Sequence, residues 1–381
     1  MLVRYKTHIF IFIHIDIAHI TFIIFIVCII STAFTAILSH RNSPFSDLII
    51  EFLCFSSIIT YFSDTVCKKE HKHCDYRLPL LCYPCYILCD IFIKLLLKER
   101  VIMDSMFNTP QEVVQANMNG AVKKAATSKK KVFFMGIMAG VCIALGAQSS
   151  NVAMHDISNV GLARLVAGCV FPVGLMMIVF IGGELFTGDC MMTMACIKRK
   201  ISVASLIRTL VIVYFGNMVG AVALAYLVYL SGQYNYTSGA LGAFTIKVAL
   251  GKVSLSFLPA LISGILCNIL VCAAVLMAST AKDIAGKSLA IFFPIMAFVI
   301  SGFEHCVANM YYIPAGIFAS MNADYVAKAK ELYGITESQI ASLNWGNFFL
   351  VNLLPVTIGN IIGGGFIIGG LFFYLHGKNC K

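Results

Sequence analysis

From Met103 onward the chain carries six apolar segments, roughly 132–153, 162–197, 203–231, 254–280, 288–319 and 345–375. Each has the ~20 residues that a helix needs to cross a bilayer. The second and fifth are too long for one straight crossing, and both are interrupted in the middle. One interruption reads Gly182-Gly183-Glu184-Leu185-Phe186-Thr187-Gly188-Asp189, the other Ser301-Gly302-Phe303-Glu304-His305-Cys306-Val307-Ala308-Asn309. Ionisable residues at membrane depth are costly and line a pathway or pair inside the bundle. A broken helix frees backbone groups that lipid cannot satisfy, so each break has to face protein or a cavity.

Composition fits this reading. Hydrophobic residues make up 59% of the chain and charged residues 12%, against about 25% charged in soluble domains. The net charge of +10 sits in short loops, the pattern of cytoplasmic loops in a membrane protein rather than of a nucleic-acid surface. If there are six spans, Lys123–Lys131, Lys198-Arg199-Lys200, Lys282 with Lys287, and Lys378 with Lys381 fall on one side. The positive-inside rule makes that side cytoplasmic, with both termini of the 103–381 form inside the cell membrane. Opposite loops are expected near Asp156, Tyr234–Thr245 and Asp324–Glu337.

The third segment contains Gly216-Asn217-Met218-Val219-Gly220 and the sixth Gly359-Asn360-Ile361-Ile362-Gly363. Each half then reads as span, broken span, and span ending on a GNxxG motif. Three spans per half insert with opposite orientation, which gives an all-α bundle of two inverted three-helix repeats with its site near the midplane.

Residues 1–102 differ from the rest. They contain no glycine, whereas all 29 glycines follow Met103. Lys98-Glu99-Arg100 just before Met103 can be encoded by a purine-rich stretch similar to a ribosome-binding site. We expect translation to begin at Met103 or Met106, with 1–102 as upstream sequence. The competing reading is a genuine extension with membrane segments near Ile9–Leu38 and Leu80–Leu97. Cys67, His71, His73, Cys74, Cys82, Cys85 and Cys89 have zinc-like spacing, but we expect no metal site in a segment of this composition. Cys142, Cys169, Cys267, Cys272 and Cys306 lie in apolar runs as small hydrophobes, so no disulfide framework is expected. In residues 103–131, Thr109-Pro110-Gln111-Glu112 starts a cytoplasmic surface helix with a capping box, expected to lie against the first span. The working domain is 132–377.

These residues resemble the formate/nitrite transporter family over about 107–377. The matching pieces are Gly183–Gly188, Leu266–Cys272, Gly302–His305, Asn309-Met310 and Asn352–Asn360. A few features are similar to the clostridial hydrosulfide-channel branch. The resemblance implies an aquaporin-like six-helix protomer in a homopentamer, passing small monovalent anions such as formate, nitrite or hydrosulfide, with or without a proton, and using no cofactor or metal. Thr187 on the broken second helix would meet His305. Leu175 and Phe298 would form the cytoplasmic constriction, and Leu185 and Phe186 the outer one. Lys252, at the start of the fourth span, would draw anions to the outer mouth, and Asn268 would line the pathway. Glu184, Glu304, Gly183, Gly302 and Asn309 are expected to brace the breaks, since carboxylates would repel an anion. An aquaporin-like neutral-solute channel would share the architecture, but its paired Asn-Pro-Ala turns are missing. A membrane enzyme would need clustered acid/base or metal groups, whereas His155, His305 and His376 are scattered.

Overall fold

The computed structural model describes residues 107–378 and Cys380. The expectations for residues 1–102, their zinc-like spacing and the start at Met103 or Met106 lie outside the described residues. Six described helices are long and apolar enough to cross a membrane. In chain order the elements are α1 (Pro110–Ala126), α2 (Lys129–Met154), α3 (Val160–Ile181), α4 (Phe186–Ile197), α5 (Val203–Leu230), α6 (Ala240–Val253), α7 (Phe257–Thr280), α8 (Ile284–Ser301), α9 (Cys306–Ala319), α10 (Ala323–Tyr333), α11 (Glu337–Ser342) and α12 (Trp345–His376). The spans are α2, α3, α5, α7, α8 and α12, and α4 and α9 are the short halves that continue α3 and α8.

The breaks are shorter than the motifs that announce them. Within those motifs only residues 182–185 and 302–305 leave the helix. Each opens on a glycine in the left-handed region, Gly182 at φ 93° and Gly302 at φ 72°, where a side chain would be strained. Thr187, Asp189 and Asn309 already belong to the short helices.

The repeat is visible in the packing. α5 lies along α2, and α12 lies along α7. Close approach is permitted by the second glycine in one motif and the first in the other. A Cβ on Gly220 would stand 2.1 Å from the Ile137 carbonyl oxygen, and one on Gly359 would stand 2.2 Å from that of Leu261. In a membrane, where lipid is as apolar as leucine, such small-residue contacts are a main source of helix association.

Four elements depart from the expected loops and plain spans. Ala240–Val253 is a buried helix, because its 14 residues are apolar but too few to cross a bilayer; it packs on α9. Lys252 therefore sits in the last turn of α6 and not at the head of the fourth span. The mixed-charge stretch after Asp324 folds into α10 and α11, capped by Asn322 and by a Thr336–Gln339 capping box. α12 contains two π-helical stretches, Phe348–Leu353 and Ile362–Gly370, and the Thr193 hydroxyl donates to the Gly365 carbonyl at 2.8 Å.

α1 forms as expected, with Thr109 as cap and Glu112 completing the box. Its partner differs from the one expected. It docks on the Met191–Ala195 region of α4 and on Leu276 of α7 rather than on the first span, through buried Val113, Val114, Met118 and Ala121. Burying each of the first three contributes roughly 1.5–3 kcal/mol relative to exposure to water, enough to hold a short helix in place. Asn108 N donates to the Thr280 carbonyl at 2.7 Å, and the Cys380 thiol donates to Gln111 O. The first and last described residues thus share one face, as six spans require.

Gly359→Ala drives a methyl into the α7 backbone. Overpacking of this kind costs about 1–3 kcal/mol. Thermal unfolding in detergent should show a clearly lowered midpoint, and Gly120→Ala, where a Cβ meets nothing within 4 Å, should leave it near that of the unaltered protein.

Candidate functional site

The asparagine of each GNxxG motif makes the same three bonds. Asn217 Oδ1 accepts from Phe186 N at 2.9 Å, and its amide donates to the carbonyls of Gly136 at 2.8 Å and Glu184 at 2.9 Å. Asn360 Oδ1 accepts from Cys306 N at 2.9 Å, and its amide donates to Gly264 O at 2.7 Å and Glu304 O at 3.1 Å. One buried side chain thus satisfies the first free N–H of the short helix and a carbonyl of the break, and ties both to a neighbouring span. The two breaks align residue by residue: Gly182 with Gly302, Glu184 with Glu304, Leu185 with His305, and Asp189 with Asn309.

This clamping brings the N-termini of α4 and α9 together at the centre. Both are the positive ends of helix dipoles. His305 is the N-cap of α9, and its Nδ1 accepts from Ala308 N at 3.0 Å. A backbone N–H can only donate, so Nδ1 carries no proton, and Nε2–H is the neutral tautomer. Nε2 donates to Thr187 Oγ1 at 2.9 Å. His305 is 2% exposed and Thr187 0%. The Thr187 hydroxyl proton remains free to donate to an arriving acceptor.

Asn268 reaches this pair through the threonine's backbone carbonyl rather than through the Thr187 hydroxyl or the imidazole. Its amide donates to the carbonyls of Thr187 at 3.1 Å and Asn360 at 2.6 Å, which links the threonine's backbone to the clamp. Phe298 lies beside the imidazole at a ring-centroid distance of 6.0 Å and packs edge-on against Phe171. Leu175, Leu185 and Phe186 are buried in the same core, with Phe186 edge-on to Tyr214. Leu185 and Phe186 adjoin Glu184, which reaches Lys124 of α1, and Phe298 lies near the end of α8, ahead of the break whose Glu304 reaches Lys252 of α6.

Each break carries a glutamate paired with a lysine from outside the break. Glu304 Oε1 accepts from Lys252 Nζ at 2.9 Å, and its Oε2 accepts from Asn309 at 2.6 Å and Asn352 at 3.3 Å. The Lys252 side chain is 16% exposed, and its ammonium also lies 5.2 Å from the Tyr312 ring centre. In the other half, Lys124 Nζ meets Glu184 Oε2 at 2.5 Å and also contacts Asp189 Oδ1. A Cβ on Gly183 would stand 3.1 Å from that of Ala139 on α2. Lys124, Asp189 and Asn352 were not singled out from the sequence. Aligning the two breaks would have flagged Asp189 as an acid opposite an amide; nothing in the sequence ties Lys124 to it.

Residues 111–374 match the protein family described as Formate/nitrite transporter. The chain is 36% identical over 279 residues to the formate channel FocA of Haemophilus influenzae, across 73% of this chain and 98% of that protein. It is 38% identical over 294 residues to a probable formate transporter of Methanothermobacter thermautotrophicus, across 72% of this chain and all of the relative. Its fold is similar to a solved pentameric formate channel with formate bound, at TM-score 0.59 and 34% identity, covering 66% of this chain and 98% of that one. These likenesses do not single out the hydrosulfide branch or any other. With six membrane-spanning helices, two of them broken, the chain belongs to the formate/nitrite transporter family, whose members are multi-pass membrane channels and transporters rather than enzymes.

Proposed function

We propose that this chain forms homopentamers in the cell membrane in which each protomer passes a small monovalent anion of the formate, nitrite or hydrosulfide class, with α1 on the cytoplasmic side. One observation carries the reading: Thr187 and His305 meet, fully buried, between two helix N-termini. The name of the Haemophilus relative and the bound formate in the solved pentamer support the class of cargo. The lysine-rich ends on the α1 face support the orientation.

Leu175, Phe298, Leu185 and Phe186 strip water from the anion on either side of the centre, as apolar constrictions do. The stripped anion then meets donors: the Thr187 hydroxyl, the His305 Nε2–H once it turns from Thr187, and the two dipole ends. A neutral imidazole is too weak an acid to protonate such an anion, so Nδ1 must first take up a proton to form the imidazolium, and the Ala308 N–H occupies the Nδ1 lone pair. The imidazole therefore acts first as a hydrogen-bond donor, and it protonates cargo only when the α9 cap opens. Lys252 neutralises Glu304, so the anion approaches His305 without facing an uncovered carboxylate.

His305→Asn separates the two duties of this residue. Asparagine is a good N-cap, so α9 should stay capped and the protein should assemble. Anion flux into proteoliposomes should fall more than about tenfold, on the scale of ~1.4 kcal/mol of barrier stabilisation. Flux of formate, nitrite and hydrosulfide equal to the unaltered protein's would overturn the reading, as would passage of neutral solutes alone.

Lys252→Met should lower flux at least as strongly, by exposing the Glu304 charge, and should also destabilise the fold by about 3–5 kcal/mol, as when one partner of a buried pair is removed. The double variant Lys252→Met/Glu304→Gln should recover much of both. Flux retained in the single variant would show that charge neutralisation at Glu304 plays no part.

A further inference from the structure

The aligned breaks differ at one position in a way that bears on protons. In the second break Asn309 donates its amide to Glu304 Oε2 at 2.6 Å. In the first, the equivalent residue is Asp189, which as a carboxylate has nothing to donate to Glu184. The Asp189 side chain is 1% exposed, and its Oδ2 is buried with no hydrogen-bond partner. Lys124 touches both acids, which places their carboxylates within ~5 Å of each other, the range in which two like charges strongly disfavour double ionisation. One ammonium against two carboxylates leaves one buried negative charge unbalanced.

We propose that Glu184 and Asp189 hold one proton between them, so that the first break is a proton-binding site and the second is not. A proton taken up from water on one carboxylate supplies the donor that Asn309 supplies in the other half, and converts the repulsion into an O–H···O bond. It also makes the cluster with Lys124 neutral. The route to water is the Lys124 side, where the side chain is 33% exposed. There a cavity of about 180 Å³ between α1 and the start of α4 is lined by Asn117, Lys124, Asp189 and Ser279 among others. Beyond Lys124, the titratable groups facing the pair are the thiols of Cys190 on α4 and Cys272 on α7. α2 and α5 turn the uncharged Met135, Gly136 and Asn217 toward the break, and His305 on α9 lies beyond, against Thr187. The site does not depend on which anion the protein passes.

Infrared difference spectra of the full chain in proteoliposomes, in H2O and D2O, read this directly. At about pH 7, where isolated carboxyls are ionised, the unaltered protein should show one deuterium-sensitive protonated-carboxyl band. Asp189→Asn should abolish it, and Glu304→Gln should not. Should Asp189→Asn fail to fold, Glu184→Gln gives the same subtraction. No such band in the unaltered protein, or a band that survives both Asp189→Asn and Glu184→Gln, would overturn the proposal.

Discussion

Two asparagine side chains carry the structure's central constraint. A helix interrupted inside a bilayer leaves backbone N–H and C=O groups that lipid cannot satisfy, at several kcal/mol each. Asn217 and Asn360 resolve this with one amide apiece, each reaching a break and the neighbouring span at once. Because the same three bonds recur in both halves, the two short helices are held in related positions. Their N-termini converge, and the meeting of Thr187 with His305 follows from that geometry. Asn268 adds a further tie, from the Thr187 carbonyl to the Asn360 carbonyl.

Charge is managed around this frame rather than within it. Each break carries a glutamate, and each glutamate is met by a lysine from a helix that does not cross the membrane: Lys124 on α1 for Glu184, and Lys252 on α6 for Glu304. Buried carboxylates left unpaired would destabilise the fold and repel an anion. Paired, they brace the break, and the centre is left to uncharged donors. This gives α1 and α6 a purpose that their short lengths conceal.

Much of this was legible in the sequence. The six spans were, because length and hydropathy are imposed by the bilayer itself. The breaks were, because Gly182 and Gly302 stand beside glutamates that a plain span would not contain. The GNxxG repeat was visible as a packing motif, but its hydrogen bonds were not, since a motif does not say which carbonyls its amide will reach. The meeting of Thr187 and His305 came from family resemblance; residues so far apart in the chain carry no local signal of contact. α6 was hidden because an apolar stretch of 14 residues between spans reads as a loop, and this displaced Lys252 from its expected position. The Lys124 cluster was hidden because α1 looks like an ordinary surface helix until its docking on α4 is known.

The central claim is that the clamped breaks hold His305 as a neutral Nε2–H imidazole, with Nδ1 accepting from Ala308 and Nε2–H facing Thr187. Nitrogen-15 NMR of histidine-labelled protein in lipid, with the His305 signals assigned by subtracting the His305→Asn spectrum, tests it most directly. At neutral pH the account predicts an unprotonated Nδ1 and a protonated Nε2. A protonated Nδ1, whether in the other neutral tautomer or in an imidazolium, would contradict it.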